Sequence, residues 1–233
     1  MHRIEINCWN ESNQILDITE VILQKQSDYQ EIAIYDTEQF GKCLFLDGVI
    51  QSAKKDHEQY DRAVLSQMKA DDSELLVLGG GDGHTAKMAL RLNPDIHVTI
   101  VELDLEVVRT SRHYLQQQVF DHPNVRLIIG DAIAYLEKAD SGQFDGVICD
   151  LTDYPKGNPD FSVEGFYIEL FALLTKILSP PAWITAYGGC IEETVDDIIQ
   201  QSDRLALEKD RIQIESFGEP CFLLHANLPK EKP

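Results

Sequence analysis

The stretch LLVLGGGDGHTAKMAL, residues 75–90, joins an apolar strand pattern to a turn that holds four glycines and one aspartate. Glycine-rich turns that follow a strand usually bring the backbone close to a phosphate or a nucleoside. Gly79 and Gly81 fit the dinucleotide-binding pattern GxGxxG, but His84 occupies the position of its third glycine and has no predicted role. Asp82 would repel a phosphate, whereas Gly81 still allows close backbone approach. The turn therefore predicts a nucleoside ligand that lacks a pyrophosphate.

Strand and helix patterns alternate on either side of this turn. Strands are predicted at ELLVLGG, HVTIVEL, VRLIIGD, FDGVICD and AWITAYGG, and the segment RIQIESFGEPCFLLHAN predicts a hairpin that turns at Gly218–Pro220. Helices are predicted over HEQYDRAVLSQMKA, from about Thr85, over Glu106–Gln118, over AIAYLEKA, over Val163–Leu178 and over Glu192–Leu207. The alternation predicts an α/β fold with a doubly wound, Rossmann-like parallel sheet and helices on both faces.

The first 53 residues follow a different pattern. Apolar runs such as IAIYD and CLFLDGVIQS alternate with turn signals such as EQFGK and LDGV. We therefore predict a small N-terminal β domain at residues 1–53 and a Rossmann-like domain that carries the functional site at residues 54–233.

The composition argues against several classes of partner. The 233 residues include 40 acidic and 20 basic residues, which gives a net charge of −20. Such a chain is poorly suited to nucleic acids or anionic membranes, and its charge either serves solubility or attracts cations. No apolar run reaches the ~18–20 residues of a membrane span, and the N-terminus lacks the apolar core of a signal peptide. Five scattered cysteines, among them Cys149 in a predicted strand, indicate reduced packing residues in a cytoplasmic protein.

Acidic residues stand at the ends of four successive predicted strands: Asp82, Glu102, Asp131 and Asp150, with Asp153 three positions further on. Ligands of doubly wound sheets bind outside the carboxyl ends of the strands, so these side chains should share one rim. Glu102 lies 21 residues after Gly81, the spacing at which an acid accepts hydrogen bonds from a ribose. Asp131 and the backbone of Ala132 would contact adenine, although Asp131 alone could equally be a helix N-cap. The pattern indicates an adenosine ligand such as S-adenosylmethionine or a relative.

These motifs resemble those of a known family. The pieces SDYQEIAIYDTEQFGKCLFLDGVIQS, Tyr60, LLVLGGGDG, VELD, GDA and FDGVICDLTDYP occur in the order and spacing of the polyamine aminopropyltransferases, the spermidine and spermine synthases. The resemblance covers residues 29 to about 190. It implies a sheet of the S-adenosylmethionine-methyltransferase type and transfer of an aminopropyl group from decarboxylated S-adenosylmethionine to a polyamine amine. The by-product would be 5′-methylthioadenosine, and no cofactor is expected.

The resemblance also implies roles for individual residues. The matching positions are Asp150 as base and amine anchor, Asp82 as partner of the donor's aminopropyl amine, and Glu102 and Asp131 as partners of ribose and adenine. Gln30 would also contact the donor. The acceptor amine is protonated at neutral pH, with a pKa of about 10, and a carboxylate can orient it and then help to remove its proton. Asp153 could hold the amine, and Tyr60 either shares this hydrogen bonding or simply packs on its helix.

Several positions bear on the choice of acceptor. The pieces DLTDYP and YDRAVL, and a glutamate at Glu219, resemble spermine synthases more than spermidine synthases. The candidates for acceptor binding are Asp61, Asp82, Asp153, Glu219 and Gln51. A longer amine carries one more positive charge, to which Asp61 and Glu219 could offer extra carboxylates, so spermidine is favoured over putrescine as acceptor. The alternative is that Asp61 and Glu219 are surface acids of an acidic protein.

Other interpretations stay open at the level of the sequence. Asp82 disfavours a methyltransferase because it would repel the carboxylate of S-adenosylmethionine, and intact Asp150 and Tyr60 disfavour a non-catalytic polyamine-binding protein. The Pro- and Gly-rich segment 154–162 either closes over the substrates or is an ordinary connection. The seven histidines, which include His57 near the proposed site, show no HxH or HExxH spacing, so no metal site is predicted. A homodimer is expected by resemblance.

Overall fold

The computed structural model describes residues 2–7, 13–151, 163–202 and 205–230. Asp153 and the segment 154–162 therefore lie outside the described residues. The described chain forms two β-sheets, one of five strands and one of seven. The last strand of the smaller sheet ends at Ala53, and the first helix begins at His57.

The N-terminal sheet is an antiparallel meander. Its strands are β1 (His2–Asn7), β2 (Asn13–Gln26), β3 (Glu31–Thr37), β4 (Gly41–Leu46) and β5 (Val49–Ala53), in chain order. Successive side chains point to opposite faces of a strand. Ile32 and Ile34 accordingly pack with Val107 of the larger domain, whereas Tyr35 belongs to a second cluster that contacts Phe217. The small sheet thus contacts the rest of the chain on both of its faces.

The larger sheet confirms the predicted α/β architecture. Its strands are β6 (Glu74–Gly79), β7 (His97–Glu102), β8 (Val125–Ile129), β9 (Phe144–Asp150), β10 (Leu178–Gly189), β11 (Glu208–Gln213) and β12 (Pro220–Leu228). They lie in the order β11-β12-β10-β9-β6-β7-β8. The strands from β10 to β8 in this order are mutually parallel, and β11 and β12 form the predicted antiparallel hairpin at one edge.

Helices cover both faces of this sheet. They are α1 (His57–Val64), α2 (His84–Leu92), α3 (Leu105–Tyr114), α4 (Ala132–Lys138), α5 (Val163–Ile177) and α6 (Glu192–Gln201). Leu75 and Val77 of β6 pack with α1, α2 and α3, whereas Leu76 and Leu78 pack with α4, α5 and α6. The continuous apolar run LLVL is therefore explained by burial on both sides. Within the described ranges no helix is long and apolar enough to cross a membrane.

The central strands create a switch point in the chain path. β6 has β7 on one side and β9 on the other, and such a reversal opens a crevice at the carboxyl ends of the two strands. Gly79 at the end of β6 pairs with Asp150 at the end of β9. Gly79 has a φ of +83°, and a Cβ there would lie 2.1 Å from the carbonyl oxygen of Asp150. This close approach requires glycine, so the first glycine of the turn sets the floor of the crevice.

Three predicted helices end earlier than expected, α1 at Val64, α3 at Tyr114 and α6 at Gln201. In α3 the chain turns away because Gln116 has a positive φ of 56°, and the N–H of Gln117 bonds back to the carbonyl of Ser111 at 3.2 Å. α6 ends at Gln201, and β11 already begins at Glu208. The apolar periodicity of the sequence did not reveal where these helices end, because their ends depend on the tertiary structure.

The hairpin turn between β11 and β12 is tied to the start of α1. It contains one turn of 3-10 helix at Glu215–Phe217. The backbone N–H and the Oγ of Ser216 both donate hydrogen bonds of 2.8 Å to the carboxylate of Asp56, which immediately precedes α1. The contact places the turn, and with it Glu219, beside the helix that carries Tyr60.

We expect Gly146→Ala to destabilise the fold. Gly146 lies in β9, and a Cβ there would lie 2.2 Å from the ring of Trp183, which is fully buried. The indole cannot easily move, because its Nε1 donates a 2.7 Å hydrogen bond to Asp72. Overpacking of this kind should lower the free energy of unfolding by about 1–3 kcal/mol, measured by urea denaturation.

Gly130→Ala is the control for this substitution, because no atom lies within 4 Å of a Cβ at that position. Equal urea midpoints for the two variants would contradict the packing described around Trp183.

Candidate active site

Tyr60 and Asp150 form the hydrogen bond at the centre of the crevice. The Tyr60 hydroxyl donates to Asp150 Oδ1 at 2.6 Å. The tyrosine side chain is buried, and its ring packs against that of Phe217, with centroids 5.6 Å apart. Packing on the helix and hydrogen bonding at the site are therefore compatible roles for Tyr60, because packing fixes its ring while its hydroxyl reaches the carboxylate.

The surroundings of Asp150 oppose its ionisation. Burial, together with the charges of Asp82, Asp61 and Glu102, raises the pKa of Asp150 to about 7, although the hydrogen bond from Tyr60 lowers it. The pKa of Tyr60 is raised well above its ordinary value, chiefly by burial and then by the charge of Asp150. The tyrosine therefore stays a hydrogen-bond donor, and Asp150 can change protonation near neutral pH.

Asp61 and Glu219 are buried, so the interpretation of both as surface acids is wrong. Their residues are 3% and 4% exposed, respectively. Asp61 accepts hydrogen bonds from Thr85 Oγ1 at 3.1 Å and pairs with His57 Nδ1 at 2.9 Å. Glu219 follows the hairpin turn and acts electrostatically on Cys221, as does Asp150. The sequence could not reveal this burial, because it depends on how α1 packs against α2 and against the hairpin.

Glu102 lies directly behind the glycine-rich turn. Its carboxylate accepts a 2.9 Å hydrogen bond from the backbone N–H of Asp104 and another from that of Gly81. Burial, followed by the charges of Asp104 and Asp82, raises the pKa of Glu102 to about 7 despite these bonds. A Cβ at Gly81 would lie 2.7 Å from Glu102 Oε2. The second glycine of the motif therefore leaves room for this carboxylate.

Asp82 is held within the turn itself. Its Oδ1 accepts a 3.0 Å hydrogen bond from the backbone N–H of His84, the first residue of α2. The side chain is only partly buried, and its charge raises the pKa of Asp61, Glu102 and Asp150. These four acids, Asp61, Asp82, Glu102 and Asp150, form what we call the carboxylate cluster. Among the described residues no lysine or arginine pairs with any of its members.

Asp104, which the sequence did not single out, connects the small sheet to this site. Its Oδ1 caps α3 by accepting from the N–H of Glu106 at 2.9 Å. Its Oδ2 accepts from Ser27 Oγ at 2.6 Å and from Gln30 Nε2 at 3.2 Å. Gln30 thus contacts Asp104, whose backbone N–H donates to Glu102. An aspartate just before a helix is an N-cap signal, which could have identified Asp104 in the sequence.

Three predicted site residues make no hydrogen bond to the carboxylate cluster within the described ranges. Asp131 is exposed and caps α4, accepting from the N–H of Ala134 at 2.7 Å, and Ala132 is the first residue of that helix. Asp131 also borders a groove of about 340 Å³ that does not include the four acids. Gln51 Nε2 contacts the carbonyl of Val49 in its own strand at 3.4 Å.

His57 and His84 are brought together by the packing of α1 on α2. Their ring centroids lie 3.7 Å apart, with 34° between the planes. His84 Nδ1 also lies 3.1 Å from Gln117 Nε2. Burial lowers the pKa of His84, against the opposing charge of Asp82. The position of His84, for which the sequence predicted no role, is thus beside Asp61 and Asp82.

The arrangement suits the binding of a small cation and the removal of a proton from it. Four carboxylates in a partly dehydrated crevice repel one another, and a positively charged ligand relieves that repulsion. Asp150 has the pKa expected of a base that works near neutral pH. The crevice at a switch point, with glycines at its floor, also suits a nucleoside.

We predict that Asp150→Asn stabilises the folded chain, more at pH 8 than at pH 5. The folded-state pKa of Asp150, about 7, exceeds its ordinary value of 3.8, so the folded state retains a proton that the unfolded state loses between these values. Wild-type stability therefore falls as the pH rises through this window, and a neutral amide removes that loss. Thermal unfolding should show a higher midpoint, by about 2–4 °C per kcal/mol.

Asp95→Asn, at an exposed position after α2, is the matched control and should leave the midpoint unchanged. A lower midpoint for Asp150→Asn at pH 8 would contradict the raised pKa.

Family models match both parts of the chain. Residues 57–214 match the spermine/spermidine synthase domain, and residues 3–54 match the spermidine synthase tetramerisation domain. A polyamine aminopropyltransferase of Pyrobaculum calidifontis is 33% identical over 183 residues, which are 75% of this chain and 63% of that protein. Spermidine synthase 2 of Arabidopsis thaliana is 33% identical over 150 residues, 62% of this chain and 44% of that protein. The chain thus spans less than two thirds of the length of these relatives.

Solved structures share the fold. A spermidine synthase in complex with the transition-state analogue AdoDATO superposes with a TM-score of 0.82 at 22% identity, covering 96% of this chain and 78% of that one. The spermidine synthase of Thermotoga maritima gives a TM-score of 0.82 at 19% identity, covering 97% and 79%. The fold expected from the sequence motifs is therefore confirmed. Because the model of the spermine/spermidine synthase domain matches residues 57–214, the chain belongs to the spermine/spermidine synthase family.

Proposed function

We propose that the protein is a polyamine aminopropyltransferase that uses decarboxylated S-adenosylmethionine and releases 5′-methylthioadenosine. The observation that carries this proposal is the carboxylate cluster around the hydrogen bond from Tyr60 to Asp150, in which Asp61 and Glu102 are buried. Both substrates are cationic, and the cluster offers several negative charges without a paired lysine or arginine among the described residues. Membership of the family supports the same activity.

The donor is proposed to lie across the glycine-rich turn. Gly79 and Gly81 let the nucleoside approach the backbone, Glu102 accepts from the ribose hydroxyls, and Asp82 binds the ammonium of the aminopropyl group. Asp131 and the N–H of Ala132 are proposed for adenine, and Gln30 supports this side through Asp104. Intact S-adenosylmethionine would place its carboxylate near Asp82. This repulsion disfavours the alternative of a methyltransferase.

Asp150 is proposed as the base. The acceptor arrives as an ammonium ion with a pKa of about 10 and must lose a proton before its nitrogen can attack. Asp150 first orients the ammonium and then takes the proton, while Tyr60 holds the carboxylate in place. The nitrogen bonds to the methylene carbon next to the sulfonium, the carbon–sulfur bond breaks, and its electron pair stays on sulfur. The sulfonium already activates this carbon towards attack, so the proposed reaction needs no cofactor.

Spermidine is proposed as the acceptor. The support is the burial of Asp61 and Glu219 near Asp150, because a longer amine carries an additional positive charge that buried acids can pair. Both oxygens of Asp61 already contact protein groups, Thr85 and His57, so we assign it an electrostatic rather than a direct role. Gln51 and Asp153 complete the proposed acceptor residues, although Asp153 lies outside the described residues. Putrescine is the alternative acceptor.

An oligomer is proposed on the basis of the tetramerisation model that matches residues 3–54. The homodimer expected from the sequence stays a prediction.

The proposed activity is tested by incubating the protein with decarboxylated S-adenosylmethionine and, separately, putrescine or spermidine, and separating the products. We expect methylthioadenosine together with spermine in the spermidine reaction. Asp150→Asn should lower the rate at least ~100-fold, the scale of general-base catalysis, while Asp95→Asn retains it.

Absence of methylthioadenosine with either amine would refute the enzyme. Product from putrescine alone would refute the choice of spermidine but keep the activity. A nearly unchanged rate in Asp150→Asn would refute the assignment of the base.

A further inference from the structure

Two histidines converge on Asp61, a member of the carboxylate cluster, and neither histidine has a part in the chemistry proposed above. His57, Asp61 and His84 each offer one ligand atom, and these three atoms lie within 4.8 Å of one another. Within the described part of the chain they are the one grouping of this kind. The spacing of histidines in the sequence gave no sign of it, because the ligands come from two helices.

The packing of α1 against α2 builds this group. His57 and Asp61 lie one turn apart on α1, and His84 is the first residue of α2. The side chain of Asp61 is 4% exposed and that of His57 is 22% exposed. The group is thus open to solvent on the side of His57 and closed by protein at Asp61.

Outer contacts orient two of the three side chains. Thr85 Oγ1 donates to Asp61 Oδ1 at 3.1 Å, which leaves Oδ2 facing His57 Nδ1 at 2.9 Å. The amide of Gln117 contacts His84 Nδ1 at 3.1 Å, and its Oε1 is buried without a hydrogen-bond partner in the described residues. A half-turn of this amide would let Oε1 accept a hydrogen bond from the N–H at Nδ1, which leaves the lone pair of Nε2 for a ligand. Metal-binding histidines are usually oriented by such an acceptor.

The local charge also favours a cation. Asp82 acts electrostatically on both Asp61 and His84, so two carboxylates lie close enough to balance a dication. The chain carries a net charge of −20, which raises the local concentration of cations at its surface.

We propose that His57, Asp61 and His84 bind one divalent transition-metal ion of the zinc class. Two imidazoles and a carboxylate are typical ligands of Zn²⁺, whereas Mg²⁺ and Ca²⁺ prefer oxygen ligands alone. Ligand atoms on a tetrahedral zinc lie about 3.3 Å apart, given bonds of roughly 2.0–2.2 Å. His57 Nδ1 and Asp61 Oδ2 lie closer than this, at 2.9 Å, so a bound ion has to move them slightly apart, and the partly exposed His57 ring can also close the remaining distance to His84. Water would complete the coordination.

The test titrates the full-length protein with Zn²⁺ by calorimetry and with Co²⁺ by visible absorption, in the absence of substrates. Its outcome is therefore independent of the proposed function. We expect one ion per chain and a Co²⁺ spectrum of nitrogen and oxygen ligation. His57→Gln and His84→Asn should each weaken binding at least ~10-fold, whereas His97→Gln should not. His97 is the matched control because its side chain is 59% exposed and it begins β7, away from the cluster.

Absence of stoichiometric binding would overturn the proposal, as would equal affinity in all three variants. A thiolate charge-transfer band with Co²⁺ that survives both substitutions would assign the ion to a cysteine and would also overturn it. Thermal unfolding checks that each variant is folded. If His84→Asn does not fold, His57→Gln decides the outcome, because the His57 ring is partly exposed.

Discussion

The hydrogen bond from Tyr60 to Asp150 is the contact on which the remaining structure of the site depends. It joins α1 to the end of β9, and the same end of β9 pairs with Gly79 of the glycine-rich turn. The turn of the C-terminal hairpin packs on the Tyr60 ring through Phe217 and is held to the start of α1 by Asp56. Three separate segments of the chain thus meet at one carboxylate.

Electrostatic repulsion is the main constraint on this site. Burial and neighbouring acids raise the pKa of both Asp150 and Glu102 to about 7, so the free protein holds these groups in an unfavourable environment. A cationic substrate reverses the effect, because its charge favours the ionised carboxylates that bind it. Selectivity for cations and the capacity to take a proton near neutral pH then have the same physical origin. The cost is a loss of folding stability as the pH rises from the ordinary pKa of these carboxyls to about 7, a common trade-off at functional sites.

The fold and the grouping of Asp82, Glu102 and Asp150 were predictable because both depend on local sequence patterns. Asp131 also follows a strand, but it is exposed and caps α4 instead of joining these acids. Alternating strands and helices specified the parallel sheet, and the acids at strand ends had to meet at its carboxyl edge. Burial of Asp61 and Glu219 was not predictable, since it requires the packing of α1 with α2 and with the hairpin turn. The same is true of the contact between His57 and His84. Apolar periodicity overestimated the length of α3, which ends shortly before Gln116 takes a left-handed conformation.

The most direct test is the titration of the Asp150 carboxyl carbon by ¹³C NMR, with the signal identified by its loss in Asp150→Asn. In the free protein the midpoint should lie near pH 7. In Tyr60→Phe it should move to higher pH, because the hydrogen bond that favours the carboxylate is removed. A midpoint near pH 4 that is unchanged in Tyr60→Phe would contradict the buried, tyrosine-held carboxylate at the centre of this site.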